Sequence, residues 1–280
     1  MIAKGTKGAE VITLQLKLNE SGAKLKVDGD FGAATETALK AYQKANLNTQ
    51  ITGVLDAETL ACMYPLILKC ATYLPLPRGE YHHNVTDKRG VCEHHTAGGK
   101  DARTLQSNWA KDKRGRVATA VGISYDGSIY QYFPLQCWAN HIAMFRVGMK
   151  NDTLINSQYI GIELCNWGYL ELKNGIFFNY VGGIVPSNEV AQLDKPFMGH
   201  IYYHKYSDAQ IAANRTVLKE LKEIFGFQYE TNIPLDASWF DIDTKAQNGL
   251  RVLTTHTNFE GNKKADCSPQ PAFFEMIKGI

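Results

Sequence analysis

Near the C-terminus, His256 is followed ten residues later by Asp266 and Cys267, with Gly261, Asn262, Lys263 and Lys264 between them. Imidazole, carboxylate and thiolate are the zinc-binding side chains, so this loop offers two ligands of a site that still needs a third, with a fourth position left for water. The third can come from His94 or His95. They close the run Val91-Cys92-Glu93-His94-His95-Thr96-Ala97-Gly98-Gly99, which reads as a strand entering a loop. A strand end holds a side chain rigidly toward a cleft, although a histidine pair alone is commonplace.

The elements that must position these groups are punctuated locally. From about residue 88, strand and helix patterns alternate, which predicts an α/β domain. Strands are expected at residues 117–124 and 129–133, joined by the Asp126-Gly127 turn signal, and at 159–164. A short helix is expected at 105–111 with Trp109 inward. The clearest helix spans 207–225, capped by Ser207 and Asp208 and stopped at Gly226, with Ile211, Val217, Leu218, Leu221, Ile224 and Phe225 covering the sheet. Between them, Asn174-Gly175 and Gly182-Gly183 break an aromatic-rich segment expected to form an extra hairpin or a long loop.

The first sixty residues form a separate pattern of three short helices, the second capped by Thr35 and the third by Asp56. Pro65, Pro75 and Pro77 then mark a semi-rigid connector able to pack on one domain. The division expected is 1–66, a connector at 67–80, and 81–280.

At 280 residues and 44% hydrophobic, the chain can bury a sizeable core, while a net charge of +2 gives no sign of nucleic-acid binding. No run is long enough to span a bilayer, and the polar N-terminus lacks a signal-peptide pattern. Six cysteines without paired spacing read as reduced and mostly buried.

Two resemblances organise these observations. Residues 3–64 carry Gly5, Gly8, Val11, Leu14-Gln15, Leu18-Asn19, Val27-Asp28-Gly29-Asp30-Phe31-Gly32, Tyr42-Gln43 and Thr52-Gly53-Val54-Leu55-Asp56, and resemble peptidoglycan-binding domain 1. Residues 88–278 resemble the type-2 N-acetylmuramoyl-L-alanine amidases, through His94-His95-Thr96-Ala97-Gly98, the hairpin at 121–134, Trp138-Ala139-Asn140-His141, the strand ending Glu163-Leu164-Cys165-Asn166, residues 206–210, and His256 with Lys264-Ala265-Asp266-Cys267-Ser268-Pro269. The fold implied is an α/β zinc amidase domain, a mixed central sheet flanked by helices, behind a small three-helix all-α domain.

The amidase resemblance implies one Zn2+ per chain, held by His94, His256 and Asp266, with Cys267 as the alternative to Asp266. It implies catalytic roles for Glu163, as the proton-transferring carboxylate, and for Lys264, which stabilises the developing oxyanion. His141, His95 and Thr96 are placed at the substrate. One departure stands out: Thr119 and Ala120 occupy places where relatives often carry a Tyr or His facing the metal. The function implied is hydrolysis of the bond between N-acetylmuramic acid and L-alanine in peptidoglycan. The setting expected is a monomeric phage endolysin, made in the host cytoplasm and reaching the wall by holin-type release, with no membrane partner. A non-catalytic recognition protein, an autolysin and a muropeptide-recycling amidase are the alternatives.

Overall fold

The computed structural model describes residues 1–47, 51–142, 153–230, 236–260 and 264–280. It divides into two compact units, Met1–Leu66 with His82–Val85, and Ile67–Tyr81 with Thr86–Ile280.

In the first unit, α1 (Ala9–Glu20), α2 (Ala33–Asn46) and α3 (Ala57–Met63) close on Val11, Leu14, Leu18, Phe31, Leu39, Leu55 and Met63. Two buried glutamines repeat one device. Gln15 Oε1 accepts from the backbone N–H of Asp28 and Gly29, each at 3.0 Å, and its Nε2 donates to Asp30 O at 3.1 Å and Thr35 Oγ1 at 3.2 Å. Gln43 does the same with Thr52 N (3.1 Å), Gly53 N (2.9 Å), Val54 O (2.9 Å) and Thr59 Oγ1 (3.0 Å). Both turns need glycine, since Gly29 has φ 73° and Gly53 φ 70°. Asp56 caps α3 through Thr59 N. Thr35 does not cap α2: Gly32 stands at that position, and the Thr35 hydroxyl faces Gln15 instead.

The second unit holds a mixed six-stranded sheet of β1 (Thr72–Tyr73), β2 (Gly90–His95), β3 (Val121–Ile123), β4 (Ile129–Gln131), β5 (Tyr159–Leu164) and β11 (Leu253–Thr255), in the order β1-β4-β3-β5-β2-β11. β3, β5, β2 and β11 run parallel, and β4 returns antiparallel to β3. Strands β2 and β5 are buried and apolar on the core side, through Val91, Ile160, Ile162 and Leu164. Helices α4 (Arg103–Trp109), α5 (Thr153–Gln158), α6 (Asp208–Phe225), α7 (Thr244–Gln247) and α8 (Pro271–Lys278) complete the unit.

Helix α6 starts at Ser207, whose hydroxyl accepts from Gln210 N, and stops at Gly226 in the left-handed conformation. Ile211, Val217, Leu218 and Leu221 are buried and Phe225 packs on the same core, but Ile224 is 37% exposed. Phe225 lies four residues beyond Leu221 and continues the stripe that Ile224 leaves. Residues 67–81 belong to this unit: Leu68 and Leu76 enter its core, β1 pairs with β4, and Glu220 accepts from the backbone N–H of Lys69 and Cys70.

The strand expected at 117–124 survives only as β3. Ala118 N donates to Asn140 O and Asn140 N to Arg116 O, so the approach to β3 bonds to another loop rather than to the sheet. The expected hairpin after Asn166 is larger than foreseen. It is a five-stranded antiparallel sheet of β6 (Tyr169–Lys173), β7 (Ile176–Asn179), β8 (Ile184–Val185), β9 (Val190–Phe197) and β10 (His200–His204), ordered β8-β7-β6-β10-β9. Its tight turns use Asn174-Gly175 and Met198-Gly199, all at positive φ. Strand β9 hides from sequence reading because it carries Pro196 and charges, which its edge position tolerates. Among the described residues, no helix is long and apolar enough to cross a membrane.

Candidate active site

His94 lies at the end of β2 because β2 pairs in parallel with β5, in a register that sets His94 opposite Glu163. β11 lies on the other side of β2 and runs into a tight helical turn that begins at His256, fixed by mutual capping of Thr255 and Asn258. Both histidines thus sit at the carboxyl ends of parallel strands, where α/β sheets place their ligands.

Three side-chain atoms meet there in a near-equilateral triangle. His94 Nδ1 is 3.1 Å from His256 Nδ1 and 3.2 Å from Asp266 Oδ2, and His256 Nδ1 is 3.0 Å from the same oxygen. A proton can bridge one edge of such a triangle but not all three. Donor atoms bound tetrahedrally at roughly 2.0–2.1 Å would stand about 3.3 Å apart, close to the spacing seen. The donor set therefore fits a small cation.

Hydrogen bonding sets the tautomer of His94. The Tyr159 carbonyl, 3.1 Å from His141 Nε2, can only accept, so that nitrogen carries the proton. Burial, with His94 close by, holds the His141 ring well below the usual imidazole range and so neutral. Its Nδ1 is then a lone pair facing His94 Nε2 at 3.0 Å. His94 must place its proton on Nε2, which leaves the Nδ1 lone pair for the triangle. Asn156 fixes the other end by accepting from His141 N at 2.7 Å and Ile142 N at 2.8 Å.

The charges are consistent with a cation-binding group. Burial pushes His94 down to about 4, so its ring is neutral. Burial works to raise the Asp266 carboxyl, but His256 and His94 outweigh it and hold that group well below the carboxylate range. Glu163 is pushed well above that range by burial and by the Asp266 charge, and Lys264 opposes the rise.

His94, His256, Asp266, Glu163 and Lys264 line one cleft of about 420 Å³, with His95, Thr96 and His141 also on its wall. His95 Nδ1 is 3.1 Å from the Tyr206 hydroxyl. The Thr96 hydroxyl is engaged with the backbone of Asn166, donating to its O at 3.2 Å and accepting from its N at 3.1 Å. Thr119 lines the cleft but donates its hydroxyl to Val121 O, and Ala120 is buried. Cys267 is fully buried among the core side chains and stands outside the triangle. Gly261, Asn262 and Lys263 of this loop lie outside the described residues.

Cys92, His94 and His141 form a second grouping with metal-binding side chains. It shares His94, whose Nε2 is already engaged with His141, and burial pushes the Cys92 thiol well up, away from the thiolate a metal needs. Sequence reading missed the aromatic side of the cleft, formed by Trp167, Tyr169 and Tyr180. The only signal was the aromatic richness of that segment.

The family model described as N-acetylmuramoyl-L-alanine amidase matches residues 84–269, and one described as putative peptidoglycan binding domain matches residues 7–63. Among solved structures, PlyL is 15% identical at a TM-score of 0.42, with 75% of this chain and 98% of that one covered. AmpD is 19% identical at 0.41, with 75% and 96% covered. The endolysin N-acetylmuramoyl-L-alanine amidase LysCS from Clostridium intestinale is 12% identical at 0.41, with 76% and 95% covered. A search of curated proteins found no match. The chain belongs to the N-acetylmuramoyl-L-alanine amidase family, and is a peptidoglycan amidase whose first unit carries a peptidoglycan-binding domain.

Proposed function

We propose that the protein cleaves the bond between N-acetylmuramic acid and L-alanine with the help of one Zn2+ held by His94, His256 and Asp266. The observation that carries this reading is the triangle of three closely spaced metal-binding atoms on the cleft that also holds Glu163 and Lys264. Zinc at such a site polarises the amide carbonyl and brings the pKa of a bound water toward 7.

The protein's own groups do the rest. Glu163 takes the proton of the attacking water and returns it to the leaving amine of L-alanine. Its burial raises its affinity for the proton it takes up, while the positive charge of Lys264 favours the carboxylate from which the first transfer starts. Lys264 supplies fixed positive charge to the oxyanion that develops at the carbonyl. His141 keeps His94 in the ligating tautomer, a positioning role at the metal rather than at the substrate. His95 and Thr96 shape the cleft wall and are held in place by Tyr206 and Asn166.

A peptidoglycan-binding unit raises the local concentration of an insoluble substrate, whereas free muropeptides need no tether. This supports a wall-lytic enzyme of endolysin type over a recycling amidase. The test is digestion of purified wall, with identification of the new amino terminus and metal analysis of Asp266→Ala beside Cys267→Ala. L-alanine should be exposed, and zinc should be lost from Asp266→Ala alone. Wall that stays bound but uncut would instead mark a recognition protein.

A further inference from the structure

The second sheet does more than cover the first. Trp167 follows β5, Tyr169 opens β6 and Tyr180 follows β7, and all three line the catalytic cleft. The rings of Tyr180 and Tyr169 are held by their own contacts, and Trp167 is anchored through its backbone. Tyr180 is 51% exposed, yet its hydroxyl donates to Ala97 O at 2.7 Å, tying the sheet to the loop that follows His94-His95-Thr96. Asn179 shapes the turn carrying that ring, accepting from Gly183 N at 2.7 Å and Val181 N at 3.2 Å. Tyr169 stacks on His200 with ring centres 3.8 Å apart and planes 15° from parallel. The backbone N–H of Trp167 donates to His204 Nδ1 at 3.3 Å.

Pre-set aromatic rings on a partly open wall cost little side-chain entropy when a ligand arrives. The stretch Trp167-Gly168-Tyr169 and Tyr180 presents no charge, while the cations of the cleft, Lys264 and Arg114, come from other segments. An uncharged aromatic wall suits a ligand with flat apolar faces and uncharged polar edges. Pyranose rings have that character: the C–H groups on a sugar face are polarised by the ring and hydroxyl oxygens and meet the negative face of an aromatic ring. A stem peptide, with its carboxylates, matches the cationic segments better.

We infer that this inserted sheet is the glycan-binding wall of the enzyme, with Tyr180, Tyr169 and Trp167 seating the sugar rings beside the scissile amide. The inference rests on the amidase reading of the cleft. It fits the place of this sheet in the chain, which begins just after the strand that bears Glu163.

The test is equilibrium binding to the zinc-loaded full chain, followed by NMR, with two probes: the disaccharide of N-acetylglucosamine and N-acetylmuramic acid without peptide, and the stem tetrapeptide without sugar. Tyr180→Ala and Trp167→Ala should each weaken disaccharide binding roughly fivefold to tenfold, and leave tetrapeptide binding within about twofold. Tyr180→Phe, which keeps the ring but gives up the hydroxyl's hold on Ala97 O, should weaken disaccharide binding less than Tyr180→Ala. Equal weakening of both probes, unchanged disaccharide binding in the alanine variants, or no disaccharide binding by the unaltered chain at millimolar concentration overturns the inference. Failure of the amidase reading shows separately, as wall digestion by the unaltered chain that exposes no L-alanine.

Discussion

The two units bury polar side chains to opposite ends. In the first, Gln15 and Gln43 each have a carbonyl that accepts twice and an amide nitrogen that faces three acceptors, so both donors and acceptors are answered. In the second, His94 Nδ1, His256 Nδ1 and Asp266 Oδ2 stand 3.0–3.2 Å from one another on the wall of a cleft. The first arrangement fixes a turn, whereas the second gathers a donor set that fits a small cation. Burial of polar groups therefore does not mark a functional site by itself; the kind of side chains brought together does.

Four measurements press on this contrast. The largest effect is expected at Glu163→Gln, which keeps the cleft's shape but removes the carboxylate: kcat should fall by roughly 10²–10⁴ while zinc stays bound. Loss of zinc in that variant would move Glu163 from proton transfer to ligation. His141→Ala should weaken zinc affinity about 10–100-fold, because His94 loses the partner that fixes its tautomer. An unchanged affinity would show that the Tyr159–His141–His94 relay is ornamental to the metal.

Gln43→Ala should destabilise the first unit by about 3 kcal/mol, since it strands several buried partners at once. Hydrogen exchange at the Gly53 amide reports it, and hydrolysis of soluble muropeptides should not change. The fourth measurement concerns Glu93, on the face of β2 opposite His94, where burial pushes the carboxyl up to about 8 against a hydrogen bond from Asn214 at 3.0 Å. Its folded pKa lies above the unfolded one. Its contribution is therefore complete below the unfolded pKa, and is lost as pH rises through about 8. Glu93→Gln should flatten the fall of stability across that window, by up to about 1.4 kcal/mol per pH unit relative to the unaltered chain. Parallel pH curves for the two proteins would remove Glu93 from the account.

Much of this architecture was legible in single residues. Ser207 and Asp56 announce helix starts, Gly226 a helix end, and Asp126-Gly127 a hairpin, because each acts through bonds to backbone a few residues away. Thr35 misled for the same reason: its local pattern suits a cap, but Gln15, twenty residues earlier, claims the hydroxyl. The second sheet was legible only as turns and aromatic residues, since its edge strand β9 lacks an apolar alternation of its own.

By itself the sequence determined the types of donor available, the helices with local caps and the presence of two differently patterned regions. Those features depend on side-chain chemistry and short-range bonding. Tertiary structure alone decided which donors meet. Asp266 and Cys267 are neighbours in the chain, yet one turns to His94 and His256 while the other packs into the core, and only the packing on both sides of that backbone sets the choice. The same packing brings His141 behind His94 and carries three aromatic rings to the cleft that began as a histidine, a carboxylate and a thiol in one loop.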